Sequence, residues 1–319
     1  MQQGQPGQPG QQGQQVKIGK YEFRIQDNES RSPDGKLYSR NFKIGGKYSD
    51  CVNVSIKYDK DERPISAKIP TLVYDEECSL TAPLIPLDRG EGTVTMIKTL
   101  LRYIHKQLPS ITEFVFEDKS TIECGTEEEK YRKRHRKRGT YATPLVLYYF
   151  SIAFNGITWY EKHFKAYQQD EKMHESYKER VKELLTNESM KPDFNEFLRI
   201  AQPPTKYLED LKTFYEKSST YGEFFKSMPR DDRCQLVREW LPSFMEYYLQ
   251  GVFKNTDWVI DVNKMDTSVQ TTGITGGTKK KGRRQKQRRN RQYYCPEGRI
   301  RLSIESQQSF DDVYDTSSS

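Results

Sequence analysis

The stretch "LDRGEGT", residues 87–93, is the part of this chain whose residue types most plainly suggest chemistry. It places two glycines one residue apart, just before a strongly apolar helical pattern. Glycine weakens a helix and is usually kept for unusual dihedral angles or for close approach to the backbone. One interpretation is a tight turn that leads into the helix. The other is a cradle of backbone N–H groups at a helix N-terminus, an arrangement that binds phosphate.

The segments around this glycine loop predict a helix between strands. Apolar residues recur every three or four positions from Val94 to Leu108, and Pro109 ends the pattern, which predicts a helix. Upstream, "YEFRIQ" and "CVNVSIKYD" alternate polar and apolar residues, and "SPDG" at 32–35 is typical of a turn. Downstream, "ITEFVFED" alternates in the same way. The predicted order is therefore strands, glycine loop, helix and strand.

The rest of the chain is less regular. Residues 125–140 are polar throughout and predict an insertion, whereas "TPLVLYYFSIAFNGITWYEKHF" at 143–164 fits either a strand or a buried helix. A charged helix is predicted from Asp170 to Asn187, followed by several short amphipathic helices between residues 190 and 255. Beyond Asp261 the composition turns to threonine, glycine and serine, so order is expected to fail.

This order of elements, with "DRGEGT" at the start of the long helix, resembles the GNAT superfamily of acyltransferases. In that family an R-G-x-G stretch leaves the fourth strand and offers its amides to the pyrophosphate of acetyl-CoA. The resemblance implies acetyl-CoA as cofactor, an amine as acyl acceptor, and cofactor-binding roles for Arg89, Gly90, Gly92 and Thr93.

A second segment, "TWYEKHF" at 158–164, is similar to the Y-E-K-x-G-F segment of the same family. The family's tyrosine can protonate the departing CoA thiolate, and Tyr160 would carry that catalytic role here. The alternative is a packed aromatic residue with one satisfied hydroxyl. His163 is expected to be a core or boundary histidine. The carboxylates offered as a general base, directly or through water, are Glu76, Glu77 and Glu117, each of which could equally be a solvated surface group.

Residues 87–185 also resemble uncharacterised proteins of large nucleocytoplasmic DNA viruses. The shared stretches are "GT…MI", "F-x-F-x-D-x-S" and "TWYEKHF". This resemblance implies a viral origin and gives no activity.

The positive charge of the chain is concentrated in two short runs. Residues 279–291 carry nine basic side chains and no acid, and without them the formal net charge falls from +7 to −2. A run at 130–138 carries seven more, which leaves −9. Such a distribution is typical of polyanion-binding segments joined to an acidic fold. The predicted nucleic-acid-binding residues are Lys279, Lys280, Lys281, Arg283, Arg284, Lys286, Arg288, Arg289 and Arg291.

Three uses of the basic tail stay open from its composition. It can contact phosphates without reading sequence, with Tyr293 and Tyr294 stacking on unpaired bases. It can be a nuclear address. It can be a bare charged linker.

The remaining composition limits the class of protein. The five cysteines are scattered, with no CxxC pair or Cys–His cluster, so reduced thiols and no zinc site are expected. Neither a signal peptide nor an apolar run long enough for a membrane span is recognised. We therefore expect an intracellular protein, in the host cytoplasm, the virion or the nucleus.

Together these features predict an α/β (α+β) fold with a mixed, mainly antiparallel acyltransferase-like sheet flanked by helices. The expected domains are a disordered tail at 1–15, a core at 16–187, a helical appendage at 188–262 and a disordered basic tail at 263–319. Two functions remain: an acetyl-CoA-dependent N-acyltransferase, or a non-catalytic virion or virus-factory protein that kept the fold and binds nucleic acid or a protein. The acceptor and the oligomeric state do not follow from the sequence.

Overall fold

The computed structural model describes residues 13–122, 124, 145–253, 257–265 and 300–301 of the chain. Within them the fold is α+β, with a large and mostly antiparallel sheet flanked by helices. The strands are β1 (Gln14–Ile18), β2 (Tyr21–Arg31), β3 (Leu37–Gly45), β4 (Asp50–Tyr58), β5 (Pro64–Leu72), β6 (Glu113–Glu117), β7 (Thr121–Ile122), β8 (Leu145–Val146), β9 (Tyr167–Gln168), β10 (Asp257–Asp261) and β11 (Ile300–Arg301). The helices are α1 (Glu91–Gln107), α2 (Leu147–Asn155), α3 (Trp159–Phe164), α4 (Glu171–Thr186), α5 (Phe194–Ala201), α6 (Leu208–Glu216), α7 (Tyr221–Ser227), α8 (Arg233–Val237) and α9 (Leu241–Tyr248).

The large sheet has eight strands in the order β1-β2-β3-β4-β5-β6-β10-β9. The first five form an antiparallel meander, and α1 then connects β5 to β6, which run parallel. This parallel pair shares a single registered position, Lys68 opposite Val115. The two strands therefore touch over a short length. Because they run parallel, the start of α1 and the end of β6 lie at the same edge of the sheet.

The strand and helix predictions in the first half of the chain are confirmed. Val52, Val54 and Ile56 are fully buried on one face of β4, as their alternation predicts. The "SPDG" segment forms a turn in which Gly35 takes a φ of 84°, a left-handed conformation suited to glycine. The apolar stripe of α1 is buried and packs against β2 and β3.

The aromatic segment at 143–164, left open between strand and helix, is largely helical where the structure describes it. Helix α2 ends at Gly156, which has a φ of 77°. Helix α3 then begins with a capping box: the Thr158 hydroxyl accepts from the Glu161 amide, and the Glu161 carboxylate accepts from the Thr158 amide at 2.9 Å. Much of the "TWYEKHF" pattern is thus accounted for as a helix start.

Three boundaries differ from the sequence-based domains, and one of them is at β11, which falls in the predicted basic tail and pairs with β7. Gln14 and Gln15, placed in the predicted N-terminal tail, pair with β2 as part of β1. Strand β10, which falls in the predicted helical appendage, returns to the large sheet between β6 and β9. Its central residues Trp258, Val259 and Ile260 are all buried, as expected for an inner strand. The predicted insertion at 125–140 lies outside the described residues.

The prediction of reduced thiols was wrong for four of the five cysteines. Cys51 is bonded to Cys78 and Cys124 to Cys234, with Cα atoms 5.9 and 5.5 Å apart. The partners are separated by 27 and 110 residues, so spacing along the chain could not reveal them. Cys295 lies outside the described residues.

Among the described residues, no helix combines the length and the apolar character that spanning a membrane requires.

Candidate functional site

The N-terminus of α1, where the glycine loop was predicted to bind phosphate, is capped by Asp88 of the same chain. The Gly92 amide donates to Asp88 Oδ1 at 2.6 Å, and the Thr93 amide donates to the Asp88 backbone carbonyl at 3.2 Å. The Tyr21 hydroxyl donates to Asp88 Oδ2, and Lys20 Nζ lies 3.6 Å from the same oxygen. A carboxylate therefore holds part of the position that a phosphate would need.

These contacts keep Asp88 ionised. Burial alone raises the pKa of the Asp88 carboxyl, but the hydrogen bonds from Gly92 and Tyr21, together with Lys20, outweigh it and hold the pKa below its ordinary value. An anion at a helix N-terminus is stabilised by the helix dipole. A second anion at the same place would be repelled.

The two glycines of the loop have different surroundings. A Cβ added at Gly92 would lie 2.9 Å from Leu87 Cδ1 and 3.1 Å from Tyr21 Cζ, so side-chain packing accounts for this glycine. Gly90 is exposed at the helix N-cap, and the nearest atom to an added Cβ is Asp88 Oδ1, 4.0 Å away. No atom of the described residues requires glycine at position 90 by close approach.

The other two predicted cofactor residues lie at the same helix start. Thr93 is fully buried, and its hydroxyl donates to the Asp88 carbonyl at 3.3 Å. The Arg89 guanidinium lies over the Tyr74 ring, 5.5 Å from its centroid. The structure thus brings Arg89, Gly90, Gly92 and Thr93 together around Asp88.

Tyr160, the predicted proton donor, is a buried residue of α3. Its side chain is 1% exposed, its ring lies 4.4 Å from the Phe116 ring centroid, and its hydroxyl is 3.0 Å from Ser120 Oγ. Burial raises the pKa of Tyr160 well above its ordinary value, and the charge of Asp118 adds to the shift. This geometry is that of a packed aromatic residue with a satisfied hydroxyl.

The three carboxylates offered as general bases lie in exposed or paired positions. Glu76 and Glu77 are exposed in the 3-10 turn that follows β5. Glu117 forms an ion pair with Lys119 at 2.9 Å. His163, expected at a boundary, is half-buried against Trp159, and burial, aided by Lys162 and Lys98, lowers its pKa to about 4.

Sequence reasoning overlooked Asp118, whose carboxyl is the most perturbed acid in the described part of the chain. Burial raises its pKa to about 6, although its hydrogen bonds with Ser120 oppose the shift. The Ser120 amide donates to Asp118 Oδ1 at 3.0 Å. A signal was present, since the alternation that buries Phe114 and Phe116 in β6, continued one residue past the strand, puts residue 118 on the same face.

Asp118 lies at a cavity of about 280 Å³ beyond the end of β6. Its walls come from the end of β6, from β8 and the start of α2, from the segment after α9, and from β10. The lining residues are Glu117, Asp118, Lys119, Ser120, Val146, Tyr148, Phe253 and Trp258. A carboxyl that titrates near neutral pH in such a cavity can exchange a proton or hold a cation.

Comparison with known proteins adds no relative: no family model, no curated protein and no solved structure matches the chain. The acyltransferase and viral resemblances therefore remain predictions. The basic residues at 130–138 and 279–291, with Tyr293 and Tyr294, lie outside the described residues.

Proposed function

We propose that this chain is a nucleic-acid-binding protein of viral origin, built on an acyltransferase-like scaffold whose cofactor position is filled by its own side chains. The scaffold part is supported by the order of elements, in which a meander, a glycine loop and α1 lead to β6. It is also supported by the parallel pair β5 and β6, which shares a single registered position, as expected of strands that splay apart.

The observation that carries the proposal is the carboxylate of Asp88 at the start of α1. It accepts the Gly92 amide and is held by Tyr21 and Lys20, so one amide that a pyrophosphate would need is already engaged. Tyr160 is likewise engaged, with its hydroxyl against Ser120 in the core. These contacts support a role in the fold for the glycine loop and for Tyr160.

The binding part rests on charge. Nine basic side chains in the thirteen residues 279–291 are joined to a chain that is otherwise acidic, which favours a polyanion-binding segment over a basic fold. Tyr293 and Tyr294 follow at once and can stack on unpaired bases. Contact with phosphate, without sequence readout, is the expected mode.

The two disulfides favour the virion over the cytosol as the place where the protein acts. Disulfides persist in oxidising surroundings, which include virion surfaces, and are rare among cytosolic proteins. The cross-links Cys51–Cys78 and Cys124–Cys234 both join buried cysteines. A structural role in a particle that leaves the cell accommodates both the predicted intracellular synthesis and the cross-links.

A second function, acetyl transfer from acetyl-CoA to an amine, is favoured by one observation. Asp118, with a pKa of about 6, lies at the same edge of the sheet as the glycine loop and could act as a general base. It would require Asp88 to leave the start of α1 so that Arg89, Gly90, Gly92 and Thr93 could hold the pyrophosphate. It would also require Tyr160 to reach the thiolate.

The test of nucleic-acid binding compares the full chain with a form that ends at Thr278. The full chain should bind single-stranded DNA or RNA with an affinity that falls steeply with salt. For each phosphate contacted, the association constant should fall by about 0.7 logarithmic units per tenfold rise in salt concentration. The shortened form should lose most of this affinity and most of the salt dependence. A full chain with the 130–138 basic residues replaced by glutamine is the matched control. If the shortened form binds as well as the full chain, the tail is not the binding segment.

Acetyl-CoA separates the two functions. We expect no rise in the melting temperature of the full chain at millimolar acetyl-CoA and no release of CoA with polyamines, aminoglycosides or basic peptides. A rise that is lost in Gly90→Asp, at an exposed position that tolerates a side chain, would favour the acyltransferase. In that case Tyr160→Phe should lower turnover by roughly tenfold to a thousandfold.

A further inference from the structure

The cavity beyond β6 has two unlike sides. The polar side is the group of lining residues Glu117, Asp118, Lys119 and Ser120, and the apolar side is the group Val146, Tyr148, Phe253 and Trp258. Its volume of about 280 Å³ is close to the lower end of the range for small-molecule pockets, roughly 300–1,000 Å³. Such a cavity suits a small ligand with one polar end.

The two carboxylates at the polar side differ in their partners. Glu117 is neutralised by Lys119 at 2.9 Å. Asp118 accepts a hydrogen bond from the Ser120 amide at 3.0 Å, and within the described ranges no lysine or arginine forms an ion pair with it. An ionised carboxylate away from water is costly unless a positive charge compensates it. Asp118 is half-buried, and a cation in the cavity would compensate its charge.

The apolar side is built from rings that hold one another in place. Tyr148 stacks on Phe253 with centroids 4.7 Å apart and an interplanar angle of 21°. Phe253 is in turn nearly parallel to Trp258, at 6.4 Å and 23°. Tyr177 closes the cluster by edge contacts with Phe253 and Trp258. This side offers mainly apolar ring surface to the body of a ligand, with the Tyr148 hydroxyl and the Trp258 indole N–H as its polar groups.

We propose that this cavity binds a small organic cation, a primary ammonium group on an aromatic or alkyl body. The ammonium donates to the Asp118 carboxylate, and the body packs against Tyr148, Phe253 and Trp258. Glu117 keeps its ion pair with Lys119 and does not take part. Binding of this kind requires neither acetyl-CoA nor nucleic acid, so it stands apart from the function proposed above.

The test measures dissociation constants of the full chain for three compounds of nearly equal shape. They are 2-phenylethylamine, which is a cation, 2-phenylethanol, which is neutral, and 3-phenylpropionate, which is an anion. At pH 7.5 the amine should bind at least about tenfold more tightly than the alcohol, because it alone forms a charged hydrogen bond, and the anion should bind most weakly.

Variants of the two neighbouring carboxylates show which of them causes the preference for the amine. Asp118→Asn should reduce the affinity for the amine to that for the alcohol and leave the alcohol unchanged, which also shows that the cavity is intact. Glu117→Gln, on the rim of the same cavity, should keep the preference for the amine within about twofold. Equal affinity for amine and alcohol, failure of all three compounds to bind at millimolar concentration, or equal loss in the two variants would each overturn the proposal.

Discussion

Asp88 and Asp118 lie at the same edge of the sheet, one before α1 and the other after β6, yet their surroundings have opposite effects. Asp88 receives the Gly92 amide, the Tyr21 hydroxyl and the Lys20 ammonium, and these donors hold its pKa below its ordinary value. Asp118 is half-buried with the Ser120 amide as its donor, and its pKa rises to about 6. The first is held by three donors of the fold, and the second forms no ion pair with any described residue.

This difference between the two aspartates indicates where a ligand can bind. The glycine loop has the more suggestive sequence, but its polar groups already satisfy one another. The end of β6 has an ordinary sequence, and among the described residues no lysine or arginine forms an ion pair with Asp118, which lines a cavity together with aromatic residues. A carboxylate without an ion-pair partner, more than the presence of a motif, marks the better candidate for binding.

The largest expected effect on the free energy of unfolding comes from the disulfides. Each disulfide joins the chain near one of these two regions to another part of the fold. Cys51–Cys78 holds the chain that leads to the glycine loop, and Cys124–Cys234 ties the chain after Ser120 to α8. Replacing both Cys124 and Cys234 with alanine should lower the free energy of unfolding by about 5 kcal/mol, against about 3.5 kcal/mol for Cys51 and Cys78, because the first closes the longer loop. Urea unfolding under oxidising conditions measures both.

Dithiothreitol gives the control for this prediction. The reductant should lower the free energy of unfolding of the wild type by more than that of either double variant, since the wild type loses two cross-links and each variant loses one. An unfolding curve that does not respond to the reductant would show that the cysteines are not bonded in solution, and the cross-links could then not stabilise either region.

The second comparison measures how replacing each of the two aspartates changes the free energy of unfolding. Asp118→Asn should stabilise the protein by at most about 3 kcal/mol at pH 7.5, since a shift of one pKa unit corresponds to 1.36 kcal/mol. The ionised form of Asp118 destabilises the folded state as the pH rises from the ordinary pKa of 3.8 through about 6. The stability gained by Asp118→Asn should therefore vanish near pH 4.

Asp88→Asn is the matched control and should have the opposite sign. Its lowered pKa means that the stabilisation is present above the ordinary value and is lost as the pH falls through the folded pKa. We expect a loss of about 1 kcal/mol at pH 7.5, typical of a charge at a helix N-terminus, and none in strong acid. Thermal unfolding across pH follows both variants, and equal signs would remove the distinction between the two sites.

The third comparison, between Gly92 and Gly90, tests why the loop contains glycine. Gly92→Ala should destabilise the protein by about 1–3 kcal/mol, because the new methyl group meets Leu87 and Tyr21. Gly90→Ala, which has space around it, should change stability by less than about 0.5 kcal/mol. If both alanines are tolerated equally, packing is not the reason for Gly92, and approach of a ligand becomes the better explanation.

Much of the fold could be predicted because its determinants are local. The alternation in β4 and the three- and four-residue spacing in α1 each express one buried face, and a repeating pattern reports a face directly. The aromatic segment at 143–164 stayed ambiguous because it is apolar on every side, and a buried helix and a buried strand then look alike. Strand β10 was missed because its partners, β6 and β9, are distant along the chain.

The strands before the glycine loop, the long helix and the separation of two basic runs from an acidic remainder follow from the sequence alone, because they depend on neighbours in the chain. The difference between Asp88 and Asp118, the pairing of the cysteines and the surroundings of Tyr160 arise from the tertiary structure. Each of these depends on atoms brought together from far apart: Asp88 on Tyr21, Cys124 on Cys234, and Tyr160 on Ser120. A charge or a hydroxyl takes its chemistry from the groups it contacts, and those contacts exist only after the chain has folded.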